Sequence, residues 1–258
     1  MPFPNFKNKH SEPSVFSPKQ FMEYRKKTGA YPRFEPPLGI IFCYQKHLME
    51  HVLKNHRTVK AEGFYGDLHL LTDTENRVGI VGNFGIGAPV AATLLEELIA
   101  FGVKKFISIG TAGSLRKDLR PGDLMVCQKA LRDEGTSHHY LKPTRYAFPS
   151  KAMTKKVLRA LDKLGQQCVT GKSWTTDAPY RETVAEVQRY QKEGISAVDM
   201  EAAALFAVAE YRKVDMAAVF TISDSLADLK WKPRFHAKRT RKGLEVIYKA
   251  ALSALLHD

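Results

Sequence analysis

The chain has 258 residues, 44% of them apolar, which is enough for a substantial core in one large α/β domain or two small ones. Forty Lys and Arg against 27 Asp and Glu give a net charge of +13, a balance that favours anionic partners such as phosphate, nucleotides or nucleic acid. No apolar run is long enough for a bilayer span, the N-terminal M-P-F-P-N-F-K-N-K-H has no apolar leader core, and Cys43, Cys127 and Cys168 sit far apart in apolar runs. These features predict a cytoplasmic protein without a signal peptide, membrane partner or disulfide framework.

Residues 1–37 are rich in Pro, Lys and aromatics and read as an N-terminal extension with one short helix near 18–28. L-G-I-I-F-C-Y (38–44) predicts a buried strand, followed by an amphipathic helix to about Asn55. Residues 64–72 and 77–83 predict two strands separated by D-T-E-N. G-N-F-G-I-G-A-P (82–89) then breaks into a helix over 91–102. Strands follow at 104–110, ending in G-T-A-G, and at 124–131. Helices at 150–164 and near 182–193 bracket a strand at 167–175. S-A-V-D-M (196–200) is a short strand feeding the helix A-A-A-L-F-A-V-A-E-Y. A strand at 216–224 and a helix at 237–256 complete the pattern. Strands alternating with helices predict an α/β fold around a central sheet. Residues 38–258 contain no linker or internal repeat and read as a single catalytic domain. Ligands in such sheets bind where strands end in loops.

Several strand ends carry polar chemistry. G-N-F-G-I-G-A-P and I-G-T-A-G-S-L (109–115) are either tight turns or parts of one anion site, since exposed backbone N–H groups and the Thr111 hydroxyl suit an oxyanion. Asp224, ending T-I-S-D, is either a helix cap or a general acid. Asp199 and Glu201 flank Met200 inside an apolar run, and a buried charge is costly unless something pairs with it. Asp133, Glu134, His138 and His139 cluster in R-D-E-G-T-S-H-H-Y, but adjacent histidines point apart; His47 and His51 lack a carboxylate motif. No metal site is expected. K-W-K-P-R-F-H-A-K-R-T-R-K-G (230–243) has seven Lys/Arg and no acid. It reads as a solvated, mobile segment before nucleic-acid contact or a basic flap over an anionic substrate.

Six stretches taken in order carry a resemblance: G-I-G-A-P (85–89), G-V-K-K-F-I-S-I-G-T-A-G-S-L (102–115), P-G-D-L-M-V (121–126), T-D-A-P-Y (176–180), A-V-D-M-E-A-A-A-L (197–205) and T-I-S-D (221–224). Over roughly residues 38–250 the chain resembles the nucleoside phosphorylase family, which includes hexameric purine nucleoside phosphorylases, uridine phosphorylases and methylthioadenosine/adenosylhomocysteine nucleosidases. The resemblance implies a three-layer α/β/α fold with a central mixed sheet and cleavage of a nucleoside N-glycosidic bond. It implies that Glu201 accepts hydrogen bonds from the two ribose hydroxyls, which a carboxylate matches. Met200 would pack on the sugar, with Ile86 where a family Met touches it. Val198 would line the base pocket, Asp199 would lie beside sugar and base, and Asp224 would protonate purine N7. Tyr180 would sit near the base, and Arg181 keeps a pyrimidine open; Pro179 stands where the family often has a stacking Phe. Thr111 with Gly110 and Gly113 would form the phosphate or nucleophile loop. The resemblance further implies no metal or organic cofactor, phosphate as co-substrate, and a dimer-based homo-oligomer, up to a hexamer, rather than a nucleic-acid complex.

The chain departs from the phosphorylase pattern at the phosphate. The family's early G-D-P-x-R loop is replaced by C-Y-Q-K-H-L (43–48), the arginine before the later loop by Ser108, and the arginine donated by a neighbouring subunit falls near Val59, between Arg57 and Lys60. Either water is the nucleophile, or phosphate is held by substitutes such as Lys46, His47, Arg132 or the 230–243 segment. The expected function is therefore a purine nucleoside phosphorylase yielding free base and ribose-1-phosphate. The alternatives are a nucleosidase, on a nucleoside or a nucleotide, a uridine phosphorylase, and a non-catalytic nucleoside or RNA binder.

Overall fold

The computed structural model describes residues 4–257. Its strands are β1 (Gly39–Cys43), β2 (Thr58–Ala61), β3 (Asp67–Leu71), β4 (Val78–Gly82), β5 (Lys105–Ser114), β6 (Leu124–Asp133), β7 (Tyr146–Ala147), β8 (Val169–Thr176), β9 (Ile195–Asp199), β10 (Asp215–Ser225) and β11 (Lys232–Pro233). Its helices are α1 (Pro18–Lys27), α2 (Lys46–Asn55), α3 (Ala88–Phe101), α4 (Lys151–Lys163), α5 (Val184–Lys192), α6 (Ala202–Arg212) and α7 (Lys238–Leu256). The fold is the expected three-layer α/β/α arrangement. One buried apolar cluster joins one sheet face to α3 and α6, and a second joins the other face to α2, α4 and α7. A third, around Trp174, Tyr190 and Val198, lies beneath α5.

The sheet is mixed, in the order β2-β3-β4-β1-β5-β9-β8-β6-β10-β11. It also curls, because β10 pairs with β5 as well as β6, so β5, β9, β8, β6 and β10 form a closed ring. The length of β5 makes this possible. Its first half pairs with β1 and its last two residues with β9, while its other edge runs along β10.

Local chemistry explains where elements start. Ser17 and Gln20 form a capping box at α1, and Thr183 and Glu186 form one at α5; each satisfies backbone donors that a helix start leaves open. The helix expected over 91–102 begins three residues earlier. Gly87 takes a φ of 103°, open to glycine at low cost, and Pro89 sits in the first turn, where its missing N–H is harmless. The extension is tied to the fold: Met22 is buried, Arg25 pairs with Glu97 of α3 at 3.5 Å, and Phe34 packs between Phe64 and Phe101. The basic 230–243 stretch is folded back, with β11 pairing antiparallel to Asp224 and Ser225, and so differs from the loose segment expected.

Candidate active site

The ring gathers the acidic residues. Val198 on β9 is paired with Gly113 on β5, and Gly113 with Asp224 on β10, so the three form one row across adjacent strands. Glycine in the middle leaves little room for a side chain. A Cβ there would lie 3.1 Å from Asp224 Oδ2, 3.1 Å from Val198 Cγ1 and 3.1 Å from Leu226 Cδ1. The neighbouring side chains overhang it.

Asp199 and Glu201, two residues apart, have different surroundings. Asp199 Oδ2 accepts the backbone N–H of Glu201 at 2.8 Å and of Ala202 at 2.6 Å, which caps the start of α6. Its Oδ1 accepts from Ser173 Oγ at 2.5 Å and Thr175 Oγ1 at 3.0 Å, both on β8. Burial raises its pKa, and these four donors pull it back. Asp199 was expected beside sugar and base; both of its oxygens are filled from within the chain. It positions α6 and, through that helix start, Glu201.

Glu201 is 8% exposed, and its Oε1 accepts the N–H of Gly87 at 2.7 Å. The glycine loop before α3 and the start of α6 therefore meet on one carboxyl group. Burial, and then the charge of Asp199, push Glu201 up to about 8. A buried carboxyl with one donor retains acceptor capacity for further donors. The charge of Glu201 adds to the burial that raises the Tyr44 phenol.

The acid expected at the base is Asp224. Its Oδ1 accepts from Ser223 Oγ at 2.6 Å and its Oδ2 from Trp231 Nε1 at 2.9 Å. β11 places that indole by running back along Asp224 and Ser225. Met200 is half-buried beside these groups in sequence, while Ile86 and Tyr180 stand open, 65% and 99% exposed; Arg181 is also exposed.

The loop around Thr111 holds neutral partners. Thr111 Oγ1 accepts from Gln45 Nε2 at 3.2 Å, and Gln45 Oε1 is buried without a partner among the described residues. Ser108, where the phosphorylase arginine would stand, is 2% exposed and within 3.1 Å of the Tyr44 hydroxyl. Gly110 lies under the Tyr44 ring, so a Cβ there would be 3.2 Å from Cδ2. The candidate substitute cations differ in how far the chain itself occupies them. Arg132 Nε donates to Ser137 Oγ, and its other nitrogens donate to the carbonyls of Ser137, Lys142 and Thr144, so the guanidinium pins its own following loop. Lys46 is exposed and faces Glu50 at 3.9 Å. His47 has its pKa lowered by burial and by Arg241 of α7.

Tyr44, Gln45, Ser173, Thr175 and Trp231 escaped the sequence reading. The one signal was C-Y-Q-K-H-L itself, read for what it lacks rather than for what Tyr44 and Gln45 supply. A cleft of about 660 Å³ among the 118–124 loop, residues 166–169 and the first turns of α7 includes none of these groups.

A profile of the Phosphorylase superfamily matches residues 49–255. The chain is 32% identical over 182 residues to a DeoD-type purine nucleoside phosphorylase of Streptococcus pneumoniae, covering 65% of this chain and 76% of that protein. It is 32% identical over 142 residues to a guanosine phosphorylase of Halorubrum lacusprofundi, covering 55% of this chain and 59% of that relative, under two thirds of its length. Two solved structures share the fold. Purine nucleoside phosphorylase from Toxoplasma gondii in complex with immucillin-H superposes with a TM-score of 0.74 at 21% identity, over 86% of this chain and 90% of that one. AMP nucleosidase from Bacteroides thetaiotaomicron gives 0.72 at 23%, over 91% and 96%.

Proposed function

Because the chain belongs to the Phosphorylase superfamily, we propose that it releases the base from a purine nucleoside by breaking the N-glycosidic bond. The observation that carries this reading is the buried Glu201 carboxyl, held by Gly87 and by the Asp199-capped start of α6 on the ring that also presents Asp224. Two ribose hydroxyls would donate to Glu201. Those bonds favour its ionised form, so binding the diol supplies the negative charge that steadies an oxocarbenium-like sugar as the bond breaks. The base would leave towards the acidic end at Asp224.

The acceptor has two readings. Phosphate is the reading favoured by the relatives named as phosphorylases. Their matches cover 55% and 65% of this chain, and cations for phosphate could come from Arg57 and Lys60 of a second copy. Water is favoured by the side chains around Thr111. A phosphate dianion calls for charged donors, whereas the Tyr44–Ser108 and Gln45–Thr111 pairs are neutral, and the unpartnered Gln45 Oε1 is an acceptor suited to a water proton.

Base release from guanosine, inosine, adenosine and their 5′-monophosphates, with and without phosphate, tests both. Release that requires phosphate and yields ribose-1-phosphate supports phosphorolysis. Equal release without phosphate, yielding the free sugar, supports hydrolysis. No release from the whole panel would refute the enzymatic reading.

A further inference from the structure

The positive charge of the chain is concentrated on one of its two helical layers. Lys and Arg stand against Asp and Glu by 2 to 1 on α2, 5 to 1 on α4 and 5 to 1 on α7, the helices that cover one sheet face. Those three helices carry +9 of the chain's +13. On the other face the ratio is 4 to 1 on α1, 0 to 2 on α3 and 1 to 1 on α6, which leaves +1. The 230–243 stretch is only one part of the basic layer; the fold adds α4 by packing it along α7.

The cations are placed against the interest of their own helices. α4 carries Lys151, Lys155, Arg159 and Lys163 at four-residue steps, so like charges stack along one side. α7 opens with Lys238 and Arg239 and continues through Arg241 and Lys242. Its first turn has no acid and no side-chain cap, at the end where the helix dipole favours negative charge. Lys151, Lys155, Arg159, Lys163, Lys238 and Arg241 are exposed and form no ion pair with a described residue. Arg159 and Lys163 also line a groove between α4 and the end of α7. A row of cations that repel one another and lack internal anions calls for an external one.

What the layer does not expose selects the partner. Neither α4 nor α7 has an exposed large apolar side chain, and none of the three helices exposes an aromatic ring. Helices that lie in a membrane surface insert such side chains, and proteins that hold single strands stack the bases on aromatics. A second copy of this face would meet its own charge. A stiff row of phosphates fits instead. Lys151 to Lys163 spans ~18 Å at the helical rise, which matches about five base-pair steps of a duplex.

We propose that the α2, α4 and α7 layer is a docking face for duplex RNA, held by its phosphates without reading sequence. RNA is chosen over DNA on the strength of the proposed function. A site in which Glu201 takes both ribose hydroxyls uses ribonucleosides, and RNA is the polymer whose breakdown yields them. The contact with phosphates does not depend on that choice.

Fluorescence anisotropy with labelled RNA duplexes of about 20 base pairs tests the proposal. Two unrelated sequences should bind saturably and alike. Log affinity should fall against log salt with a slope of about −4, for four or five phosphates neutralised. The triple variant Lys155→Gln, Arg159→Gln, Lys163→Gln should bind about 100-fold more weakly near 0.1 M salt and flatten the slope by about 2 to 3. Lys19→Gln, Lys27→Gln, Arg33→Gln removes the same charge from the side of α1, which lies against α3. It should change affinity by less than about threefold, because exposed charges that far from the duplex are screened. All six positions are exposed, so both variants should keep the wild-type Tm. Equal losses in the two variants would mean that net charge alone binds, and would overturn the docking face. Tighter binding of an unpaired strand, of a DNA duplex of the same sequence or of phosphatidylserine vesicles would overturn the choice of duplex RNA. Docking can fail with base release intact, and base release can fail with docking intact, so the two readings fall separately.

Discussion

Replacing Glu201 by Gln should stabilise the protein in alkali and leave it unchanged in acid. The carboxyl is buried beside Asp199, with the N–H of Gly87 as its donor, and ionises at about 8 instead of 4.5. Between those values the folded chain keeps a proton that the unfolded chain has released. Stability is therefore complete below about pH 4.5, declines as the pH rises to about 8, and is level beyond. At ~1.4 kcal/mol per pH unit, the gap sets a ceiling of ~5 kcal/mol. Asp199 is raised by the same burial and titrates against the same charge, so an effect of ~2–4 kcal/mol is the expected order. Gln keeps the shape and the acceptor for Gly87 but cannot ionise. Urea unfolding of both proteins at about pH 5 and about pH 9 reads the difference directly. The variant should match wild type in acid and exceed it by that amount in alkali. A difference that is the same at both pH values would refute the reasoning, because it would mean that ionisation of Glu201 costs the fold nothing.

Glu201→Ala should abolish base release while circular dichroism stays that of wild type; full activity in this variant would remove the carboxyl from the mechanism. Arg132→Ala strips the donors from the carbonyls of Ser137, Lys142 and Thr144 and should cost ~2–4 kcal/mol in denaturant unfolding. It should leave the phosphate dependence of base release as it was. Gly113→Ala places a methyl 3.1 Å from Asp224 Oδ2 and Val198 Cγ1. It should lower kcat about tenfold or more while shifting Tm by only a few degrees, as expected for a displacement confined to the base end.

The elements were legible where the pattern is local. The strand expected at 216–224 is β10, and the helix expected at 237–256 is α7 within one residue. What escaped depends on pairing between distant segments. V-D-M-E offers two carboxylates with no local way to tell them apart. Only the β8–β9 register brings Ser173 and Thr175 to Asp199 and leaves Glu201 for the site. β2 is four residues on the sheet edge with Val59 and Lys60 exposed, too short and too polar to read as a strand. Trp231 was hidden in a basic stretch whose charge drew the reading towards solvent. Ring closure left no trace either, since the edge of β5 that accepts β10 looks like any buried strand.

That closure also sets an order of assembly. β5 is complete at residue 114, yet the strand that covers its second edge begins at Asp215. About a hundred residues must be made before those two edges can meet, and long-range pairing of this kind is slow to form because the chain must be closed before the contacts can compensate. A nascent chain that ends after α6 would present β5 with one bare, largely apolar edge, the situation in which strands pair with the wrong neighbour. The two ends of the site thus differ in age during synthesis. Glu201 and its helix can assemble first, whereas Asp224 and Trp231 arrive with the strand that seals the ring, so the candidate site is completed in the same step that covers the aggregation-prone edge.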